Sequence, residues 1–153
     1  MTDLEGMQAA LDEARAADAA DEVPIGAVVL FDGLIIARGQ NRVLRDNDPT
    51  AHAEMVALRA AALAIGNYRL AGCTLVSTLE PCAMCAGAMI HARIDRLVFA
   101  ADDPKAGAAG SVLGVLNHAA LNHQVVLERG LLAEESTALL REFFQRRRSL
   151  PKA

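Results

Sequence analysis

Four residues in this chain have the types and spacing of a metal-assisted reaction centre. They are His52 and Glu54 in His52-Ala53-Glu54, and Cys82 and Cys85 in Pro81-Cys82-Ala83-Met84-Cys85. Cysteines three apart in the first turn of a helix put both sulfurs on one face. The positive end of that helix favours thiolate, the form that binds metal. His52, expected in the first turn of a second helix, adds an imidazole nitrogen. Two thiolates and one imidazole suit Zn²⁺ in a tetrahedral site, and leave the fourth position to water.

A fourth protein ligand would close the site and make it structural. Cys73 opens the preceding strand, so at about 3.3 Å per residue it lies roughly 15 Å or more from that strand's far end. His91 is rotated about 240° from Cys85 on the same helix. Glu54 projects away from His52, where it can touch a bound water instead of the ion. An open zinc beside a free carboxylate is the layout of metal-assisted hydrolysis, in which zinc lowers the water's pKa from 15.7 to about 7 and the carboxylate moves the proton. A redox pair and a closed structural zinc are the alternatives for C-x-x-C alone. The combination with H-x-E, each motif opening a helix, favours catalysis.

These motifs need elements to hold them. Apolar spacing predicts a helix over 3–20, with Leu4, Met7, Leu11, Ala14 and Ala17 inward and an acidic outer face. Val23 to Gln40 reads as a hairpin turning at Asp32-Gly33. Asp48-Pro49 is expected to open a helix running to about Ile65, stopped by Gly66-Asn67. Cys73–Thr78 and Leu97–Ala101 read as strands around a helix from Pro81 to about Ala92. A Gly/Ala-rich loop covers 102–111. A short strand at Val125–Leu127 precedes a last helix from Ala133 to about Ser149, with Leu139, Leu140, Phe143 and Phe144 inward. The order α-β-β-α-β-α-β-β-α implies a mixed sheet with helices on both faces. The two motif helices carry many small residues, among them Ala53, Ala57, Ala86 and Gly87, which would allow close packing.

Composition narrows the setting. The chain has 153 residues, 22% charged and 3% aromatic, with net charge −4. That suits one domain, 1–153, with a real core. No apolar run approaches a membrane span, and the start is acidic where a secretory signal is basic, so a cytoplasmic protein is expected. Scarce aromatics argue against a stacking platform for single-stranded nucleic acid. Charge is segregated: residues 1–22 carry −6 and residues 141–153 carry +4.

H-x-E with P-C-x-x-C resembles the signature of the zinc-dependent nucleoside deaminases, a family whose chemistry is well described. Longer stretches are similar to bacterial tRNA-specific adenosine deaminases: Pro49-Thr50-Ala51-His52-Ala53-Glu54, Asn67-Tyr68-Arg69-Leu70, residues 78–91 and 105–111. The likeness runs from about Val23 to Arg148. It implies a cytidine-deaminase-like α/β fold, a three-layer α/β/α sandwich around a five-stranded mixed sheet, and a homodimer. It implies conversion of the wobble adenosine of a tRNA-Arg anticodon to inosine, with zinc held by His52, Cys82 and Cys85. Zinc-activated water would attack C6 of adenine, with Glu54 as proton shuttle.

The same resemblance gives Asn41 a hydrogen bond to the flipped base and the Ala53 N–H one to the oxygen on C6. It gives Asp103 a ribose contact and Lys105 a backbone contact. Phe144, Arg147 and Arg148 would face the anticodon loop. Asn offers adenine both a donor and an acceptor. Val23, Pro24 and Val28 are candidates for the apolar wall beside the base. Two other functions share parts of the pattern. A deaminase of a free base or nucleoside (cytosine, guanine, cytidine) would use the same zinc site, though the basic C-terminal segment argues against it. A non-catalytic zinc-stabilised binding module would need a closing fourth ligand, and no good one is in view.

Overall fold

A computed structural model describes residues 1–150. The elements are α1 (Asp3–Ala19), β1 (Gly26–Phe31), β2 (Leu34–Gln40), α2 (Ala53–Ile65), β3 (Thr74–Leu79), α3 (Ala83–Ala92), β4 (Arg96–Ala101), β5 (Val126–Arg129) and α4 (Ala133–Ser149). The sheet runs β2-β1-β3-β4-β5. β1 is antiparallel to β2 and β3, while β3, β4 and β5 are parallel. This is the expected mixed five-stranded sheet between two helical layers. Among the described residues, no helix is long and apolar enough to cross a membrane.

Alternation along the strands sorts side chains between the layers. Ala27, Val29, Leu75, Leu97 and Phe99 join α2 and α3 residues in the larger core. Val28, Leu30, Val76, Val98 and Ala100 meet Met7, Ala10 and Leu11 of α1, with Leu139 of α4 packed alongside. At the hairpin, Asp32 and Gly33 both take positive φ, 51° and 73°, the backbone of a tight two-residue turn. α1 begins with a reciprocal cap, in which the Thr2 hydroxyl oxygen accepts from the Glu5 N–H and the Glu5 carboxylate accepts from the Thr2 N–H.

The sequence signals misplace two helix starts. α2 begins at Ala53, not at Asp48-Pro49. Asp48 folds back within its own loop, where its Oδ1 accepts from the Thr50 N–H at 2.8 Å and from the Thr50 hydroxyl at 2.7 Å. That local turn satisfies the aspartate and leaves the cap position to His52. α3 likewise begins at Ala83, with Cys82 as its cap residue. Two apolar assignments also shift. Leu4 and Phe144 are exposed, at 43% and 45%. Both lie at the edge of their helices' apolar stripe.

The expected close approach is real for α2 and absent at Gly87. A Cβ on Gly39 of β2 would sit 2.3 Å from the Ala53 carbonyl oxygen and 2.6 Å from the Ala57 nitrogen. A Cβ on Gly87 would meet nothing within 4 Å. Gly39 therefore lets the first turn of α2 lie directly on the sheet edge. Gly39→Ala must push that turn away and should destabilise the fold by about 1–3 kcal/mol or more. Gly87→Ala should be neutral or stabilising by up to about 1 kcal/mol. Urea midpoints at unchanged m-value measure both, and equal midpoints for Gly39→Ala and the parent protein would refute the close-contact account.

Candidate metal centre

The first turns of α2 and α3 meet. His52 and Cys82 are the cap residues, with extended backbones and no side-chain cap hydrogen bond, so their ligand atoms are free for other work. His52 Nδ1 lies 3.6 Å from Cys82 Sγ and 3.6 Å from Cys85 Sγ. All three ligand atoms fall within 4.8 Å of one another, and these three residues form the one such group among the described residues. Bonds of about 2.3 Å to sulfur and 2.0–2.1 Å to nitrogen at tetrahedral angles put S and N about 3.6 Å apart, so the cluster has the dimensions of a small tetrahedral dication's shell. Cys73 is fully buried in the larger core and stays outside the group.

Proton affinities within the cluster fit the same conclusion. Hydrogen bonding from Cys85 and then His52 brings the Cys82 thiol down to about 3. Its bond to Cys82, followed by burial, pushes the Cys85 thiol up. The bond to Cys82 raises His52. Two sulfurs and an imidazole thus share protons at van der Waals distance. A dication replaces those protons and lets both sulfurs be thiolates at once.

Glu54 sits in the same first turn, 4% exposed. Burial dominates its surroundings and pushes its carboxyl up to about 7. A carboxyl poised near neutrality beside a metal cluster can both accept and return a proton. Ala53, the first residue of α2, has an N–H that no preceding helical carbonyl can accept.

Asn41 is placed beside this turn by the backbone. The Arg42 N–H donates to the Ala51 carbonyl at 2.9 Å, and the Asn41 N–H donates to the Ile25 carbonyl at 3.2 Å. Asn41 is 8% exposed and lines a cavity of about 530 Å³ with Val23, Val43, Leu44, Phe144 and Arg147. Its loop is anchored by Glu22, which sequence reasoning did not single out. This buried carboxylate accepts from the Leu44 and Arg45 N–H groups, each at 3.0 Å, and from Arg45 Nε at 3.1 Å. Arg45 in turn donates to the Asn41 carbonyl at 2.7 Å. A Glu at the junction of an acidic helix and an apolar strand carried no distinguishing signal.

A second cavity, of about 360 Å³, is lined by Val23, Ile25, Asp103, Lys105, Leu140 and Phe144 among others. Asp103 Oδ1 accepts from the Lys105 and Ala106 N–H groups, so one of its carboxylate oxygens already holds the loop's turn. Phe144 and Val23 border both cavities. Arg147 stacks over Phe143 and donates to the Asp21 carbonyl at 2.6 Å. Arg148 is exposed and borders neither cavity.

Val28 must be corrected. It is fully buried and faces α1 with Met7 and Leu11, on the side of the sheet opposite α2 and the metal cluster. β1 alternates, and it is Ala27 and Val29 that face the α2 layer. The apolar residue at the cavities is Val23, before the strand begins.

Comparison with known proteins agrees with this geometry. A family model described as the cytidine and deoxycytidylate deaminase zinc-binding region matches residues 1–101. The tRNA-specific adenosine deaminase of Haemophilus influenzae is 49% identical over 147 residues, covering 95% of this chain and 85% of that protein. A solved structure from studies of A-to-I editing by tRNA:A34 deaminases at the wobble position superposes with a TM-score of 0.86 at 47% identity, over 89% of this chain and 99% of that one. The guanine deaminase of Nitrosomonas europaea superposes at 0.76 with 33% identity, over 92% of this chain and 83% of that one. With the ligand triad, the buried glutamate and the sheet order all in place, the chain belongs to the cytidine and deoxycytidylate deaminase family.

Proposed function

We propose that this protein hydrolyses adenosine to inosine at the wobble position of a tRNA anticodon, that of tRNA-Arg, using one Zn²⁺ per subunit held by His52, Cys82 and Cys85. The observation that carries the reading is Glu54: a buried carboxyl beside a three-ligand cluster, in a chain similar over nearly its whole length to a tRNA-specific adenosine deaminase. The reading includes a single catalytic domain that works as a homodimer in the cytoplasm.

Zinc, when bound, lowers the pKa of a coordinated water and so supplies the nucleophile near neutral pH. Glu54 takes the water's proton and gives it to N1 of adenine as oxygen adds to C6. It then carries the second proton to the amino group, and ammonia leaves. The balance is adenosine plus water giving inosine plus ammonia. Ala53 directs its N–H to the oxygen on C6, where charge develops. Asn41 holds the polar edge of the base, with Val23 as the apolar wall. Asp103 takes the ribose, Lys105 the backbone, and Phe144, Arg147 and Arg148 the anticodon loop.

A free-base deaminase is the second reading, favoured by the likeness to a guanine deaminase. An inosine assay separates the two. The expected result is inosine in an anticodon stem-loop bearing a wobble adenosine, with no turnover of guanine, cytosine, cytidine or free adenosine. Turnover of a free base alone would replace the first reading with the second. Glu54→Gln should keep its zinc by elemental analysis and lose about 10²–10⁴ in kcat; near-normal kcat would remove Glu54 from proton transfer. Replacing Arg147 and Arg148 together by Ala should weaken stem-loop binding and flatten the log Kd against log salt slope by about 0.7 for each phosphate that the protein no longer neutralises. An unaltered slope would take α4's cations out of the interface.

A further inference from the structure

Glu80 lies between the end of β3 and Pro81-Cys82, and its side chain is only 1% exposed. All its side-chain hydrogen bonds come from the loop at 102–111. Oε1 accepts from the Asp103 N–H at 3.0 Å and from the Ser111 hydroxyl. Oε2 accepts from the Ala109 N–H at 2.9 Å and from the Ser111 N–H at 3.1 Å. Among the described residues no Lys, Arg or His forms an ion pair with it. The carboxylate is therefore solvated by the loop itself. The fit is tight: a Cβ on Gly107 would lie 2.4 Å from the Glu80 carboxylate carbon.

The loop has little regular structure to fix its own shape, with turns and one isolated bridge from Ala109 to Gly114. Arg129 of β5 reaches the Ala109 carbonyl and Asp102 from one side, and the stretch before α3 holds the loop from the other. The Ala108 N–H donates to the Pro81 carbonyl at 2.8 Å, and Glu80 takes the Asp103, Ala109 and Ser111 N–H groups, while the Lys105, Ala106 and Gly107 N–H groups turn back on Asp103. Asp103 and Lys105, on the same loop, line the second cavity.

We propose that Glu80 is a positioning residue for substrate: its buried carboxylate is the mould around which 102–111 folds, and it presents Asp103 and Lys105 to the nucleotide chain beside the reacting base. Glu80 is two residues from Cys82, so one short stretch of chain sets both the metal cluster and the substrate-contacting loop. The proposal rests on the tRNA-deaminase reading for the identity of the substrate. Glu80 touches neither the cluster nor the reacting atoms, so its loss acts on binding and spares the chemical step.

Glu80→Gln preserves shape but sets an NH₂ group against N–H donors that need an acceptor. With the anticodon stem-loop as substrate, KM should rise about tenfold to a hundredfold, with kcat within about threefold of the parent and zinc content unchanged. Amide hydrogen exchange should accelerate within 102–111 and stay unchanged in α2 and α3. Ser111→Ala removes one donor from the same carboxylate and should move both readouts less, in the same direction; it carries the test if Glu80→Gln does not fold. Parental KM and parental loop exchange in these variants overturn the proposal, as does a fall in kcat and zinc with KM unmoved. If the unmutated protein makes no inosine in the stem-loop, the functional reading is what fails. Loop exchange in the free protein then still decides whether Glu80 shapes the loop.

Discussion

Two helices begin at one point, and the rest of the molecule accommodates that. Each helix start carries about half a positive charge on N–H groups without helical partners. Bringing the starts of α2 and α3 together concentrates positive potential where His52 and Cys82 cap them. α3 has no acidic residue in its first turn, and α2 has only Glu54. The counter-charge must come from the sulfurs. Convergence thus favours the Cys82 thiolate, and a dication lets Cys85 become the second. The sheet meets the geometric demand by removing a side chain: Gly39 lets the Ala53 turn rest on β2.

Three glutamates are buried, and their partners separate their roles. Glu22 is enclosed by two N–H groups and the Arg45 guanidinium, which together outweigh burial and hold its carboxyl below the usual range. Glu80 is enclosed by three N–H groups and a hydroxyl. Both stay ionised and act as fixed scaffolding for the Asn41 loop and for the 102–111 loop. Glu54 has no such cage, and burial sends its affinity for protons the other way. Among chemically identical side chains, the one left short of donors is the one able to exchange a proton.

Where local chemistry decides the structure, the sequence was readable. Asp32-Gly33 demanded a tight turn, Gly66 stopped α2 in a left-handed conformation, and the element order followed from periodicity. The ligand triad was readable because H-x-E and P-C-x-x-C each place ligands at a helix start. Failures came where tertiary choice overrode local preference. Asp48-Pro49 is a sound helix opening, yet Asp48 closes a turn with Thr50 and the helix waits four residues. Val28 sits in a run buried on both faces, 26–30, where no polar alternation tells which residues face which layer. Placing it needed the pairing of β1 with both neighbours. Glu22 and Glu80 were invisible as anchors because their donors lie more than twenty residues away in sequence.

The charge segregation of the chain acquires a structural meaning in the packing of α4 on α1. The acidic N-terminal segment and the basic C-terminal one are not separate surfaces: Arg146 pairs with Asp18, and Arg147 reaches the Asp21 carbonyl. These contacts add to the docking of α4 on the sheet, where Leu139 packs against the α1-side core and the buried Ser136 hydroxyl donates to the Thr78 carbonyl of β3. Docking in turn holds Phe144 and Arg147 at the cavity that contains Asn41. Phe143 packs edge-on against Phe144 and under the Arg147 guanidinium, so the buried ring orients both exposed groups. A guanidinium held by a neutral carbonyl and an aromatic face keeps its full charge and several free donors. On the proposed reading such a group meets a phosphate without first breaking an ion pair, whereas Arg146 would first have to leave Asp18.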